Sequence, residues 1–435
     1  MSDVAISDMA DVNPPARIPK GLIGESTVPF IPMTDVSESG RWTFKQSRPL
    51  KSVTAGFTAF EEGDVLVAKI TPCLENGKGV HAVGLENGIG FGSTEFHVLR
   101  ARMGNEPRFV FHLSQWRRFR RAAESQMVGS AGQQRVPRAF FDEFRVSEFS
   151  AVQQARIAQV LDALDTAIHE TEAIIAKLKA VKQGLLHDLL TRGIDANGEL
   201  RPPQTEAPHL YKQSPLGWIP KEWHTSGLAG VAPEDRAVIR TGPFGSSLKG
   251  EHWRNSGTPV VTIGALGEEE FIESELLFVD EVTAARLGDF KLIPGDVVFS
   301  RVADVGRSVV VSENERGWIM SSNFMRISCD SVRARPHFLQ LLLSSSVPVR
   351  QQLRTKVNSA GRDVANSAVL MGLSFPWPSP REQDEILRRV NTIGQLVIQR
   401  QAELKKLLDV KLGLMDDLLT GRVRVTPLLQ EAQQA

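Results

Sequence analysis

The chain has two cysteines in 435 residues, Cys73 and Cys329. They form no Cys-x-x-Cys pair and have no histidine at ligand spacing. A disulfide framework and a zinc knuckle are therefore not expected, and a reducing cytoplasm fits. No apolar run reaches the roughly 18–20 residues that span a bilayer, so no membrane segment is expected. The opening stretch MSDVAISDMADVNPPARIPK lacks a basic segment followed by an apolar one and does not read as a secretory signal. An excess of one charge is missing too, with 51 Lys+Arg against 51 Asp+Glu. Such a balance argues against a generic polyanion binder. A nucleic-acid surface would need locally placed basic residues.

Enzyme signatures are equally scarce. Asn13–Ala16 (NPPA) resembles the Asn-Pro-Pro-aromatic loop of amino-group DNA methyltransferases, but Ala16 cannot stack on a flipped base. Gly88–Thr94 (GIGFGST) leads into a strand-like run rather than the helix a nucleotide loop needs. Asn76–Gly79 (NGKG) lacks the rest of a P-loop, and the nine histidines form no HxxxH cluster. No catalytic residue and no metal-ligand set is assigned.

What is present is repetition. Ser150, Ile157, Gly184 and Thr191 match Ser379, Ile386, Gly413 and Thr420 at one constant offset, 229 residues. Both segments read as long helices. Ser150–Gln153 and Ser379–Glu382 have the form of capping boxes, and Gly193 and Gly421 sit where a left-handed C-terminal residue is wanted. A heptad seam runs through Ile157, Leu161, Leu164, Ile168, Ile175, Leu178, Leu185 and Leu189. The second copy runs through Ile386, Val390, Ile393, Val397, Leu404, Leu407, Leu414 and Leu418. Polar residues interrupt both seams at matching places, Thr171 and Lys182 in one, Arg400 and Lys411 in the other. Steps of four and three put these residues on one stripe, as in a coiled coil. Gly184 and Gly413 suggest close helix crossing. A helix of about 40 residues is roughly 60 Å long, so the pair would act as a ruler.

The segments before the helices also match. Glu61–Ile70 (EEGDVLVAKI) parallels Ile293–Val302 (IPGDVVFSRV), and Gly129–Val136 parallels Asn358–Ala365. Val28–Val36 parallels Thr258–Leu266, and Gly92–Arg100 parallels Ser321–Ser328. These β-branched runs between Gly and Pro read as strands and turns. PRFVFHLSQWRRFRRAAES and PHFLQLLLSSSVPVRQQLR each read as a helix opening on Pro. The expected fold is α+β with a pseudo-twofold internal repeat. Its parts are a mixed domain (1–149), a long helix (150–194), a linker (195–214), a second mixed domain (215–378), a second long helix (379–422) and a tail (423–435).

LLHDLLTRG, LMDDLLTG, SPREQDEI, LGWIPKEW with TGPFGSSLK, and GDVLVAKITPCLENGKG with GSTEFHVLR together resemble the specificity subunit of a type I restriction-modification system. That resemblance covers nearly the whole chain. It implies a non-catalytic subunit whose two target recognition domains each read one half of a split asymmetric site in double-stranded DNA. It implies long helices paired as an antiparallel coiled coil that docks two methyltransferase subunits. Restriction/translocase subunits would join them. S-adenosylmethionine, ATP and Mg would sit on those partners and none on this chain. The first domain lacks the LGWIPKEW opener, whose projected place falls before Met1, so this domain is expected to be shorter or to start late.

Base readers are expected among polar loop residues. In the first domain these are Lys69, Thr71, Lys78, Ser93, Thr94, Gln133, Gln134 and Arg135. In the second they are Ser246, Ser247, Lys249, Arg301, Arg307, Ser322, Asn323, Arg362 and Asp363. The loops of Gln133–Arg135 and Arg362 occupy the same place in the two domains. Arg117–Arg121 (RRFRR) reads as either a solvated helical face or a phosphate contact. A coiled-coil scaffold, or a transcription-type DNA-binding protein without a restriction partner, is the competing reading.

Overall fold

The computed structural model describes residues 2–130, 132–244, 247–359 and 364–425. The chain forms two compact units, 1–174 with 400 onward, and 175–399. Residues of each long helix thus fall in both units. The reason is burial: the helix ends are part of the domain cores.

In the first unit, Val65–Ala68 lies between Phe96–Ala101 and Gly79–His81, with Ala10–Val12 outermost, all antiparallel. A second sheet has Thr27–Ile31 antiparallel to Gln46–Pro49 and parallel to Ile89–Gly92, with Thr58–Glu61 beyond. In the second unit, Val297–Ser300 lies between Phe324–Ile327 and Ser308–Val310, with Ile239–Thr241 outermost. Its second sheet has Thr258–Val261 antiparallel to Leu277–Val279 and parallel to Ile319–Met320.

The repeated Gly-Asp phrase starts the central strand of each first sheet. Gly63 and Gly295 have φ of +85° and +89°, which a side chain would resist. The following aspartates are buried and reach back, Asp64 accepting from the Glu61 N–H at 2.7 Å and Asp296 from the Ile293 N–H at 2.9 Å. A buried carboxylate needs further partners. Arg100 forks onto Asp64 at 2.7 and 2.8 Å, while Ser328 Oγ donates to Asp296 at 2.6 Å.

The two Pro-led runs are each two helices, not one. Pro107–Gln115 and Arg117–Ser125 break at Trp116, whose ψ of 131° turns its indole inward to donate to Asp416 at 2.6 Å. Pro336–Ser345 and Val347–Ser359 break at Ser346, and Pro348 opens the second piece without needing an N–H partner. The expected linker is also ordered. Tyr211–Ser214 pairs with Gly217–Pro220, and the Tyr211 hydroxyl donates to the Pro202 carbonyl at 2.6 Å.

The long helices span Ala151–Thr191 and Pro380–Leu419. At the first, Gln153 N–H donates to Ser150 Oγ at 3.4 Å and Ser150 N–H donates to Gln153 Oε1 at 3.0 Å, a reciprocal cap. The second is only half a box. Glu382 N–H donates to Ser379 Oγ at 3.3 Å, but the Glu382 carboxylate instead accepts from Ile194 N–H, Arg201 and Trp223. Gly193 and Gly421 take φ of +62° and +71° as left-handed C-terminal residues.

The seam positions are the covered ones. From Ile168 to Leu185, only Ile168, Thr171, Ile175, Leu178, Lys182 and Leu185 escape full exposure. From Ile398 to Leu414, only Arg400, Leu404, Leu407, Lys411 and Leu414 do. The four polar interruptions therefore belong to the stripe, each with a partner of its own. Thr171 donates to the Ala167 carbonyl at 2.8 Å, Lys182 reaches Glu269 at 2.7 Å, Arg400 reaches Glu403 at 2.5 Å, and Lys411 pairs with Asp165. In the first unit Ile157 and Leu161 share a core with Met415, Leu418 and Leu419. In the second, Leu186, Leu189 and Leu190 share one with Ile386 and Val390.

Gly184 and Gly413 are not crossing points. Both are exposed, and a Cβ added at either meets nothing within 4 Å. Gly184→Ala and Gly413→Ala are each expected to stabilise the protein by roughly 0.5–1 kcal/mol, by removing glycine's excess freedom from a helix interior. Equilibrium denaturation checks this, and a lowered midpoint for either variant would restore the close-contact reading.

Candidate nucleic-acid interface

In the first unit, loops far apart in sequence meet where the central strands Val65–Ala68 and Phe96–Ala101 end and begin. Thr71 N–H donates to the Gln134 carbonyl at 3.0 Å, and Val136 N–H donates to the Lys69 carbonyl at 2.9 Å. Lys69 N–H donates to the Glu95 carbonyl at 2.9 Å, and Glu95 N–H donates to Ser93 Oγ at 3.2 Å. Lys69, Thr71, Ser93, Thr94, Gln133, Gln134 and Arg135 are thereby brought together. Thr94 and Gln133 are exposed, and the others are half-buried. Arg135 is held in a fork, Nε donating to Glu95 Oε2 at 2.9 Å and Nη2 to Oε1 at 2.8 Å. The guanidinium's hydrogen bonds hold the Glu95 carboxyl below the usual carboxylate range, and Glu95 in turn raises Arg135.

Lys78 stands apart from this cluster. Its ammonium donates to the Met33 carbonyl at 3.1 Å and so ties two loops together. The RRFRR run divides by face. Phe119 is buried among Phe140, Phe141 and Phe144, while Arg117, Arg118 and Arg121 are exposed. Burial lowers the pKa of Arg120, which lies against the Glu75 carbonyl at 3.4 Å.

The second unit gathers its own set. Arg301 N–H donates to the Asn323 carbonyl at 3.0 Å and Ala365 N–H to the Arg301 carbonyl at 2.9 Å. Gly242 N–H donates to the Phe324 carbonyl at 3.0 Å, and a Cβ on Gly242 would lie 2.0 Å from the Ser321 carbonyl oxygen. The approach of these loops therefore requires glycine. The Arg301 side chain braces them, with Nε donating to Ala365 O at 3.1 Å and Nη1 to Ser322 O at 3.4 Å. Its guanidinium lies 5.2 Å from the centroid of Phe244, an exposed ring. The Arg301 side chain is thus held as a brace between these loops by two backbone carbonyls. Arg307 is half-buried, with an Nε that has no partner among the described residues. Ser322 and Asn323 are half-buried as well, and their backbone carbonyls receive the Arg301 bonds. Ser247 gives its carbonyl to Arg286 at 3.0 Å, and Lys249 is exposed beside Glu251 at 3.3 Å. Ser246, Arg362 and Asp363 lie outside the described residues.

Sequence reading missed Glu95 and Phe244. A search for cations, amides and hydroxyls passes over a carboxylate and a ring, although both lie inside the quoted loop phrases. It also missed a half-buried ionic junction. The side-chain ligand atoms of His112, Asp162 and Asp165 lie within 4.8 Å of one another, the one such group among the described residues. Arg108 and Lys411 already pair with the two carboxylates, so the group reads as an ion-pair network. His112 Nε2 is 2.8 Å from Asp162. Among the described residues, no helix is long and apolar enough to cross a membrane.

No family model matches the chain. It is similar to the type I restriction enzyme EcoEI specificity subunit of Escherichia coli, 36% identical over 159 residues, 35% of this chain and 26% of that one. It is also similar to the EcoAI specificity subunit of the same organism, 40% identical over 141 residues, 32% of this chain and 23% of that one. The matches therefore take in about a quarter of either relative's length. A longer match, 22% identical over 309 residues, covers 70% of this chain and 68% of the MjaVIII specificity subunit of Methanocaldococcus jannaschii. In fold the chain is similar to the type I restriction-modification system S subunit from M. genitalium, with a TM-score of 0.54, 14% identity and 96% of each chain covered. A chain from a structure on complex assembly and conformational transition of the type I R-M system gives a TM-score of 0.57 at 16% identity, covering 97% of this chain and 98% of that one. The resemblance read from the repeated phrases thus stands. The curated relatives are type I specificity subunits, and the α+β fold extends across nearly the whole chain.

Proposed function

We propose that this chain is the non-catalytic DNA-reading subunit of a type I restriction-modification assembly, with one recognition domain for each half of a split, asymmetric site. The observation that carries this reading is the loop cluster at the ends of the central strands in each unit, built from residues that are distant in sequence. Half-site readers held at fixed separation are a known geometric solution to bipartite recognition. The covered seam supports an antiparallel helix pair that sets the separation: where Leu161 shares a core with Met415 and Leu418, the next turn pairs Asp165 with Lys411. Exposed Leu408, Val410 and Leu412 lie off that stripe and support docking of methyltransferase subunits on the helices. The two methyltransferase subunits would supply S-adenosylmethionine chemistry at adenine. Restriction/translocase subunits would bring ATP and Mg.

The test is to map methylated adenines in DNA exposed to the assembled complex. Methylation confined to one bipartite motif, and lost when this chain is omitted, is the expected result. Methylation that ignores the presence of this chain would overturn the assignment.

A further inference from the structure

We infer that Arg135, held by Glu95, reads a guanine in the half-site of the first domain, and that Glu95 is the positioning residue for that contact. This deepens the DNA-reading assignment and rests on it.

A guanidinium has five N–H donors. Arg135 uses Nε and Nη2 on the two Glu95 oxygens, and Nη1 donates to the Gln133 carbonyl at 3.2 Å. Among the described residues that leaves one N–H on each terminal nitrogen. Two such donors match the O6 and N7 acceptors that guanine alone presents together in the major groove. Adenine would set its N6 donor against one of them, cytosine offers a donor where an acceptor is needed, and thymine offers a single oxygen. The Arg135 side chain is 44% exposed and Glu95 25%, so the pair is open to a groove on one side and packed on the other.

The carboxylate also says what the arginine is not for. A phosphate clamp gains from net positive charge, and a neighbouring carboxylate would repel the phosphate. A base reader needs orientation more than charge. Glu95 supplies orientation from a rigid place, because its backbone carbonyl is bonded to Lys69 N–H and its N–H to Ser93 Oγ. The Ile70–Arg135 and Val128–Arg135 bridges fix the other side of the fork.

The experiment uses the full chain assembled with its methyltransferase and a duplex library with a randomised core, retained duplexes being sequenced. Wild type is expected to select a split site with guanine at one position of one half. Arg135→Ala should flatten that position alone, losing roughly tenfold to hundredfold discrimination, while the other half-site keeps its preferences and so reports intact folding. The salt dependence of binding should stay unchanged, because no phosphate contact is lost. Glu95→Ala should relax the same position while binding to random duplex rises. A merely structural role would lower both. Glu95→Gln, which keeps one acceptor, should fall between. An Arg135→Ala protein that keeps every base preference would overturn the inference, as would one that weakens uniformly with a shallower salt slope. Both outcomes leave the DNA-reading assignment standing. A wild-type library with no preferred base at any position would overturn that assignment itself.

Discussion

Glu382→Ala is expected to cost the second unit about 3–5 kcal/mol, the range for breaking a buried ion pair from one side. Glu382 Oε1 accepts from Arg201 Nη1 at 2.6 Å, from Ile194 N–H at 2.8 Å and from Trp223 Nε1 at 3.1 Å. The side chains of Arg201 and Glu382 are 7% and 10% exposed, and Trp223 is fully buried. Alanine would leave a guanidinium, an indole N–H and a backbone N–H without that acceptor at once. Arg201 would keep the Arg192 carbonyl at 3.1 Å, but its one other carboxylate among the described residues, Glu222 at 3.4 Å, is 65% exposed and screened by solvent. Glu382→Gln keeps one acceptor oxygen and should lose less. Denaturant midpoints of the two variants against wild type check this. A loss of about 1 kcal/mol or less in the alanine variant, the size of an exposed pair, would show that the carboxylate is not the hub of this junction.

Acidification is expected to unfold the first unit through its histidines. Burial pushes the His81 imidazole down to about 4, and its Nε2 has no partner among the described residues. Burial lowers His97 and His112 as well. An unfolded histidine takes its proton near 6.5, whereas folded His81 does so near 4, so between those values the unfolded chain binds more protons. Stability therefore rises with pH across that window and is lost as pH falls below about 6.5, by about 3 kcal/mol for His81 alone at the acid end. Asp162 acts in the same direction lower down. Burial raises it, but hydrogen bonds from His112 and Arg108 outweigh burial and hold the carboxyl well below the usual range. Its contribution is present above the ordinary aspartate value and is lost as pH falls towards the depressed one. The check is the denaturant midpoint between about pH 7 and pH 4.5, where His81→Gln should flatten the dependence. A wild-type midpoint indifferent to pH over that range would sink the prediction.

The parts of this molecule legible in its sequence are those set by local spacing. The stripe from Ile168 to Leu185 follows from steps of three and four, and the Ser150 cap from a hydroxyl three residues before an amide. Glu382 shows where that logic stops: a carboxylate three residues after Ser379 can turn back to the cap or outward to Arg201, and only the surrounding packing decides. The loop readers were nameable singly. Their meeting was not, because the bridge joining Ile70 to Arg135 depends on how the chain returns across the sheet. The same holds for His112 and Asp162, which are 50 residues apart in sequence yet in hydrogen-bond contact.

The phrase Gly184–Thr191 opens on one glycine and ends two residues before another, Gly193, and the two answer to opposite constraints. A methyl group at 184 would point into solvent. At 193 it would land 2.3 Å from Glu382 Oε1, 2.4 Å from the Trp223 ring and 2.7 Å from Arg201 Nη1, on a backbone already at φ +62°. Sequence drift should therefore be free at the first glycine and nearly forbidden at the second. A mutational scan would find tolerance and intolerance within ten positions along the chain, set by what stands opposite each Cα.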